Sequence, residues 1–422
     1  VYKRQAVASE PKCCVHCNSP SIRGFGRREQ LIKDLAIHGK RVGLYVDTRR
    51  FQCLHCNKTF YEQLPDVDEK RKMTSRLVQW VGKQAISRTF ARIADEIGIV
   101  EGTVRSIFRD YINELEKTVR FEIPQWMGID EVHLIKPRSV ISNIQNNTIV
   151  EILKDRNKAT VTNYLSQLNG LDQVHYVAMD MWRPYRDAVE TVIPEAEIVI
   201  DKYHVERMAN DALEKVRKSL REQLTTKQRR GLANDRFVLF KRERDLTPNE
   251  AFLLDGWCNT YTELGLAYRQ KEDFYQIYNA KTPEEAKALF SDWLSTLTPE
   301  IKTAYGDLVR AWLNWEPYIC NYFNHPVTNA YTESLNNMIR VMNRLGRGYS
   351  FEALRAKILF AEGTFKFEKT RPKFKQRKQE TVLEKAISFH MSTEFNQAST
   401  QAAKNYGVDI SILTDMIEKD LL

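Results

Sequence analysis

The stretch VHYVAMD, residues 174–180, is an apolar run that ends on a carboxylate, and it organises the rest of the chain. A second run of this kind, WMGID at residues 126–130, ends on Asp130. Far downstream, Glu333 lies in the helical stretch TNAYTESLNN, residues 328–337. Carboxylates that the fold brings together from strand ends can hold two divalent metals about 3.5–4 Å apart, an arrangement that breaks and joins phosphodiesters. Asp130, Asp180 and Glu333 therefore predict metal-dependent chemistry on a nucleic-acid backbone.

The segment around the two aspartates predicts a mixed sheet. Its candidate strands are residues 126–134, 139–145, 148–154, 174–180 and 196–201, with helices at 158–168 and 185–192 between the last three. A three-strand meander followed by crossover units is typical of an RNase H-like α/β core. Residues 205–322 lose the strand pattern and carry apolar residues at helical spacing, which predicts an all-helical insertion. The core resumes with the helix that bears Glu333.

Sheet geometry selects among the acids at the strand ends. Asp130 and Glu131 are adjacent on one strand and point to opposite faces, so only one of them can join the site. The strand ending at Asp180 is expected beside the first strand, about 4.8 Å away. The strand ending at Asp201 would lie roughly 10 Å away, too far for ligand bonds near 2.1 Å. We therefore expect Asp130, Asp180 and Glu333 to be catalytic and to bind two Mg²⁺ or Mn²⁺ ions.

Polar residues near these acids are candidate contacts with DNA. An amide and a guanidinium continue the helix face of Glu333, which suits a metal next to a phosphate. After Asp180, a tryptophan can stack a base and two arginines can hold phosphates; plain packing is the alternative. Asp201 and His204 are expected to support the site; His204 could bind DNA or orient a ligand, and a core histidine with a satisfied hydrogen bond is the equal alternative. The predicted contacts are Trp182, Arg183, Arg186, Asn336 and Arg340.

Two CxxC pairs near the start of the chain predict a structural zinc site. Four thiolates from two such knuckles satisfy the tetrahedral geometry of Zn²⁺, although the gap between the pairs is longer than usual. The expected ligands are Cys14, Cys17, Cys53 and Cys56. Three neighbouring side chains are expected not to be ligands: Cys13, His16 and His55.

Residues 74–117 carry helical spacing around a glycine-containing turn. Thr74 and Ser75 can cap a first helix, which FARIADEIG (90–98) and GTVRSIFR (102–109) follow. This pattern is typical of a helix-turn-helix, and an ordinary helical hairpin with a solvated basic face is the alternative. In a helix-turn-helix, the second helix would present to the major groove Thr103, Arg105, Ser106 and Arg109.

The composition fits several folded domains and a polyanionic partner. The chain has 422 residues, 42% of them hydrophobic, and 64 Lys and Arg against 55 Asp and Glu, a net charge of +9. For the basic stretch 215–244, a solvated helix face and a DNA track are equally supported; the stretch 366–378 is expected to track phosphates or stay flexible. Seven cysteines, with four in CxxC pairs, predict a reducing compartment, and no apolar run predicts a membrane span. We expect a cytoplasmic, nucleoid-associated protein.

The order of these motifs resembles that of the bacterial insertion-sequence transposases of the ISL-three family. The motifs are the two CxxC pairs, the helix-turn-helix, GIDE (128–131), MDMWRPY (179–185), DKYH (201–204) and TNAYTESLNN (328–337). The resemblance covers roughly residues 12–375. It implies that the family's Asp-Asp-Glu triad falls on Asp130, Asp180 and Glu333. It also implies that the N-terminal modules recognise terminal inverted repeats while the triad cuts and joins DNA.

Taken together, these patterns predict a multidomain α+β protein that binds transposon ends and target DNA, at least as a homodimer on DNA. The expected segments are a zinc ribbon (1–66), a helix-turn-helix domain (67–120), an RNase H-like core (121–204 and 323–375), the all-helical insertion (205–322) and a C-terminal helical tail (376–422). Two rival hypotheses are an inactive, transposase-derived DNA-binding regulator and an RNase H-like nuclease that cuts without joining. An inactive regulator would be expected to have lost at least one of the three carboxylates.

Overall fold

The computed structural model describes residues 11–68, 70–119, 122–363 and 366, together with the backbone of residues 2–5 and 364. The expected helical tail and nearly all of the basic stretch 366–378 lie outside the described residues. Within the described part of the chain, no helix has the length and apolar character that crossing a membrane requires.

The N-terminal part is a sheet built on one long hairpin. Strands β2 (Ile22–Ile37) and β3 (Lys40–Cys53) pair antiparallel. The turn between them has positive φ at His38 (50°) and Gly39 (72°), the backbone that a two-residue hairpin turn favours. The other strands are β1 (Tyr2–Gln5), β4 (Thr59–Tyr61), β5 (Val67–Asp68) and β6 (Met73–Thr74). The order is β1-β3-β2-β6-β5, with β4 paired to β3.

Three helices follow, at the positions that the apolar spacing predicts: α1 (Ser75–Ser87), α2 (Phe90–Ile97) and α3 (Glu101–Thr118). Thr74 and Thr89 cap the first two, because each side-chain oxygen accepts a hydrogen bond from a backbone N–H of the first turn. Gly98 ends α2 with a φ of 74°, which lets the chain turn directly into α3.

A second, mixed sheet forms the centre of the molecule. Its strands are β7 (Trp126–His133), β8 (Pro137–Asn143), β9 (Thr148–Ile152), β10 (Tyr176–Met179) and β11 (Glu197–Ile200). The order is β11-β10-β7-β8-β9, in which β7, β8 and β9 form the predicted meander and β10 is parallel to both β7 and β11. Helices α4 (Lys158–Leu165) and α5 (Arg183–Val192) lie in the connections. The strand that precedes Asp180 is therefore next to the strand of Asp130, and the strand that precedes Asp201 is one further out.

The predicted insertion is helical throughout. It consists of α6 (Lys202–Ser219), α7 (Thr226–Asn234), α8 (Arg236–Phe240), α9 (Pro248–Thr260), α10 (Thr262–Gln276), α11 (Pro283–Ser295) and α12 (Pro299–Asn324), with short 3₁₀ turns between some of them. Its first and last helices extend past the expected bounds of 205 and 322. The insertion shares one continuous apolar core with the central sheet, in which Phe290 stacks on Trp312 at 4.4 Å between ring centroids.

The last described elements return to the sheet and also reach the helix-turn-helix. Helices α13 (Ala330–Gly346) and α14 (Phe351–Leu359) are followed by the π-helical turn Phe360–Thr364. Ala356 and Phe360 belong to the same buried cluster as the helix-turn-helix core. Lys357, only 1% exposed, donates hydrogen bonds to the backbone oxygens of Ala85 and Arg88 at the end of α1. The helix-turn-helix is thus tied to α14 by a shared core.

Candidate active site and metal centre

Asp130 lies on β7 at the centre of an acidic cluster. It is 6% exposed, and its two oxygens accept hydrogen bonds from the backbone N–H of Glu131 (2.7 Å) and from Nδ2 of Asn336 (2.8 Å). Burial raises the pKa of Asp130 to about 7, and the negative charges of Asp180, Glu333 and Asp201 add to the rise. Asp180 and Glu333 are therefore near enough to Asp130 for their charges to raise its pKa.

Asp180 follows β10, and one of its two carboxylate oxygens lacks a hydrogen-bond donor. Its Oδ1 atom is buried and has no hydrogen-bond partner in the described structure. Burial raises the pKa of Asp180 to about 6, and the charge of Glu131 adds to the rise. A buried carboxylate oxygen without a partner is costly for a fold unless a ligand completes it, and a cation is the ligand that suits it.

Glu333 lies in the first turn of α13 and is half-buried. Burial raises its pKa, as does the charge of Asp201. Asn336 is on the next turn of the same helix, so α13 supplies both the third acid and the amide that holds Asp130. The position of this helix against the sheet decides whether the three acids converge.

A glycine sets how closely α13 approaches the sheet. A Cβ atom at Gly128 would lie 2.5 Å from Oγ of Ser142 and 2.6 Å from both Oδ1 of Asn329 and Oγ1 of Thr332. Ser142 on β8 and Thr332 on α13 also share a hydrogen bond of 2.6 Å. Only a residue without a side chain at position 128, two residues before Asp130 on β7, lets α13 dock this closely.

Asp201 holds the starts of two helices. It is 2% exposed; Oδ1 accepts from the backbone N–H of Tyr203 in α6 (3.1 Å), and Oδ2 accepts from that of Asn329, which precedes α13 (3.0 Å). Both oxygens are therefore engaged within the protein, which is the arrangement of a support. The nearby His204 has a buried Nε2 atom without a hydrogen-bond partner in the described structure. The interpretation of His204 as a satisfied core histidine does not hold for this nitrogen.

The donor set fits hard divalent cations. Carboxylate oxygens are the ligands that Mg²⁺ prefers, and one of them, on Asp180, is buried and free. Among the described residues, the acids do not form a group whose ligand atoms all lie within 4.8 Å of one another, as one shared ion would require. The described acids therefore do not by themselves define a site for a single shared ion.

Two of the predicted DNA contacts near the acids are engaged within the protein. The guanidinium of Arg156 lies 4.4 Å from the ring centroid of Trp182 and forms an ion pair with Glu131. Arg186 is paired with Asp187 at 2.7 Å, and its guanidinium lies over aromatic rings of α12. These contacts position both side chains through packing, the alternative that the sequence left open.

The other three predicted DNA contacts near the acids differ in how exposed they are and in how far their side chains are engaged within the protein. Arg183 is exposed and has no ion pair in the described part of the chain. Arg340 is half-buried and donates to Oδ1 of Asn337 at 2.8 Å. Asn336 is 2% exposed and donates to Asp130, so here it positions an acid. Arg183 therefore has the greatest freedom to meet a phosphate.

Helix α3 presents a mixed surface at the predicted recognition positions. Arg109 is exposed, and Arg105 is exposed but paired with Glu101 at 2.5 Å, a surface pair that contributes little and is easily exchanged. Thr103 and Ser106 are half-buried, and Oγ of Ser106 accepts from Arg71 at 3.4 Å. The two arginines thus have the access that a groove contact needs.

The four predicted zinc ligands converge. Their sulfur atoms all lie within 4.8 Å of one another, with 3.7 Å between Cys14 and Cys56 and 3.6 Å between Cys17 and Cys53. The backbone N–H groups of Cys56 and His55 donate to the sulfur of Cys53 and lower the pKa of its thiol to about 6. A thiolate of this kind is the form that binds Zn²⁺.

Both knuckles have the same backbone. Asn18 and Asn57 directly follow the second cysteine of each pair and have φ values of 59° and 57°, which bend the chain away from the sulfur cluster. Outside the cluster, as predicted, the thiol of Cys13 donates to Oδ1 of Asn18 at 3.2 Å. The side chains of the two knuckle histidines, His16 and His55, are exposed.

Several residues of the site were not expected from the sequence. They are Gly128, Ser142, Arg156, Asn329 and Thr332. A glycine inside an otherwise apolar strand was a usable signal, because it often marks a close approach of another element. The others are ordinary polar residues whose roles depend on contacts between distant parts of the chain.

Comparison with known proteins gives matches along nearly all of the described chain. Three family models match: one described as a transposase of the ISL3 type over residues 127–358, a zinc finger of transposases IS204/IS1001/IS1096/IS1165 over residues 10–56, and the helix-turn-helix domain of transposase family ISL3 over residues 62–112. A relative, the transposase for insertion sequence element IS1001 of Bordetella parapertussis, is 22% identical over 344 residues, which cover 80% of this chain and 85% of the relative.

Proposed function

Because this chain belongs to the transposase family ISL3, we propose that Asp130, Asp180 and Glu333 are its catalytic triad. The family and the helix-turn-helix make it a DNA-binding transposase. The observation that supports the assignment is the placement of Asp130. Burial is the main cause that raises its pKa, and the charges of the other two acids raise it further. All three carboxylates are present, so nothing favours the inactive regulator.

We place the triad on an RNase H-like core with two Mg²⁺ or Mn²⁺ ions. When bound, such ions activate a water at the phosphorus and neutralise the charge that develops on the phosphate oxygens. The protein's own part is to hold the acids: Asn336 fixes Asp130 by an amide hydrogen bond of 2.8 Å. Asp201 fixes the segment that leads into α13, and hence the start of the helix that carries Glu333.

Binding and positioning of DNA fall to the other modules. The zinc ribbon and the helix-turn-helix would recognise the terminal inverted repeats, with Arg105 and Arg109 facing the groove. Exposed Arg183, which follows the Asp180 loop, would hold a backbone phosphate close to the acids. Because two transposon ends must be cut together, we expect at least a homodimer on DNA.

The test separates cutting from binding. Asp130→Asn, Asp180→Asn and Glu333→Gln should each lower the rate of strand cleavage at a transposon end by about a thousandfold or more, because each removes a charge that the reaction requires. DNA binding measured by gel shift should stay intact. Asp172→Asn, an exposed acid away from the cluster, is the matched control and should retain activity.

A second assay decides between transposase chemistry and simple nuclease chemistry. A DNA end that is already cut is supplied with target DNA and Mg²⁺, and joined products are counted. The proposal expects joining by the unchanged protein and none by the triad variants. Cleavage-competent protein that never joins the pre-cut end, or an active Asp180→Asn variant, would overturn the assignment.

A further inference from the structure

A strongly basic cleft lies in the helical insertion, where the end of α6 meets α7. Its volume is about 360 Å³, and it is lined by five cationic residues and by no acidic residue. Buried Leu224 and Leu232 contribute its apolar part. We call it the insertion cleft; its cations are Arg217, Lys218, Arg221, Arg229 and Arg230.

Two of the five cations have an explanation inside the protein. Arg217 forms two hydrogen bonds of 2.7 Å with Glu214, and Lys218 lies 3.4 Å from the same carboxylate. The side-chain hydrogen bond from Arg217 lowers the pKa of Glu214. Both cations also occupy the last turn of α6, where positive charge compensates the helix dipole.

The other three have no such explanation. Arg221, Arg229 and Arg230 are exposed, and none of them forms an ion pair with an acid in the described part of the chain. Arg229 uses Nε to donate to the backbone oxygen of Leu224 at 3.1 Å, which positions its guanidinium beside the cleft. Like charges gathered around one cleft repel each other, and no acid in the described part of the chain offsets the charge of these three arginines.

The residue types indicate the partner. Four of the five cations are arginines, whose planar guanidinium groups bind phosphate oxygens in pairs, whereas lysine acts as a point charge. An exposed basic cleft in a protein that acts on DNA suits a chain of phosphates, which neutralises several cations at once and releases condensed counterions. The cleft offers few groups that could read a base edge.

We propose that the insertion cleft binds the phosphate backbone of duplex DNA without regard to sequence. It would hold a part of the DNA that the helix-turn-helix does not read. The inference rests on the DNA-binding function of the family and not on the assignment of the triad. On this proposal, the residues of the basic stretch 215–244 that line the cleft contact DNA.

The experiment measures binding of the full-length protein to a mixed-sequence duplex of about 40 base pairs over a range of NaCl concentrations. The variant R221Q/R229Q/R230Q should bind about 10–100-fold more weakly near 0.1 M NaCl, and the slope of log K against log salt should fall by about 2–3. The double variant R221Q/R230Q keeps the hydrogen bond from Arg229 to Leu224 and should show about two thirds of the change in slope.

A second triple variant removes the same charge elsewhere in the insertion: K281Q/K302Q/R310Q, at exposed positions outside the cleft. Its salt slope should stay close to that of the unchanged protein. Equal losses in the two triples would mean that only net charge matters and would overturn the proposal, as would an unchanged slope in R221Q/R229Q/R230Q. The triad variant Asp130→Asn should bind like the unchanged protein, so failure of the catalytic assignment would leave this test intact.

Discussion

The cysteine cluster fits a structural zinc ion and the acidic cluster is proposed to bind catalytic metal ions, but the fold completes the two clusters to different degrees. The four sulfur atoms of the cysteine cluster already lie within 4.8 Å of one another, whereas the acids around Asp130 do not form such a group among the described residues. A thiol that keeps its proton carries no charge, so thiols can pack beside the Cys53 thiolate without an ion. Carboxylates repel one another, and burial opposes their charge, which is why the pKa of Asp130 rises to about 7.

The two clusters also differ in how the chain assembles them. Each zinc knuckle is a local turn, closed by an asparagine with positive φ, so a short motif sets the position of two ligands at once. The acidic cluster needs two neighbouring strands, the helix α13 that follows the insertion in the sequence, and a glycine that lets this helix dock. A local metal site tolerates changes elsewhere in the chain, while a dispersed site depends on the packing of the whole core.

The largest effect is expected from breaking the local site. Cys53→Ser removes the ligand whose pKa is lowered to about 6, and the N-terminal sheet should lose its zinc and unfold. Structural zinc contributes about 10–16 kcal/mol in zinc-finger peptides. Zinc content by atomic absorption and hydrogen exchange of residues 11–68 are the measurements. Exchange in the central sheet should not change.

Cys13→Ser is the matched control, because Cys13 lies beside the cluster but donates to Asn18 and contributes no ligand. It should keep one zinc per chain. A full zinc content in Cys53→Ser would contradict the four-cysteine site.

A smaller but wider effect is expected from Gly128→Ala, which tests the dispersed site. The new methyl group would meet Ser142, Asn329 and Thr332 at 2.5–2.6 Å and push α13 away from the sheet. We expect a loss of about 1–3 kcal/mol in the free energy of unfolding and about a hundredfold loss of cleavage, because Glu333 would be displaced. Chemical denaturation and a cleavage assay measure the two effects.

Gly306→Ala is the control, since a Cβ atom there meets nothing within 4 Å and the residue lies inside α12. It should be neutral or stabilise the protein by up to about 1 kcal/mol. Normal cleavage by Gly128→Ala would show that the close approach of α13 is not needed for the site.

The parts of the fold that could be predicted from the sequence are those encoded locally or by strand order. The knuckles, the helix-turn-helix and the meander with its crossovers follow from spacing and alternation, and strand order places Asp180 beside Asp130. No spacing or alternation in the sequence predicts that α14 packs into the helix-turn-helix core or that Lys357 donates a hydrogen bond to the end of α1.

The same distinction holds inside the candidate site. Asp201 was expected to be a support because its strand lies too far out, but its hydrogen bond to the backbone of Asn329 could not be foreseen. Asn336 was expected to contact DNA because it shares a helix face with Glu333. The sequence does not show that its side chain is buried. Only the docking of α13 shows that its amide holds Asp130.

The last prediction uses pH to separate the two clusters. The pKa values of Asp130 and Asp180 are raised to about 7 and about 6, above the ordinary value of 3.8, chiefly by burial. An acid whose pKa is raised by folding binds its proton more tightly in the folded state. Without added Mg²⁺, these two groups therefore favour the folded state at low pH, and this contribution is lost as the pH rises from about 4 through 7.

We thus expect the melting temperature of the core, without added Mg²⁺, to be higher at pH 5.5 than at pH 8. Added Mg²⁺ should raise it much more at pH 8, where no protons compete for the carboxylates. Asp130→Asn removes the group whose pKa is raised more. The melting temperature measured by calorimetry should then depend less on pH and less on Mg²⁺, while the zinc content stays unchanged. An equal response to Mg²⁺ at the two pH values would mean that the acids around Asp130 are not the ligands, and that the dispersed cluster is not the counterpart of the cysteine site.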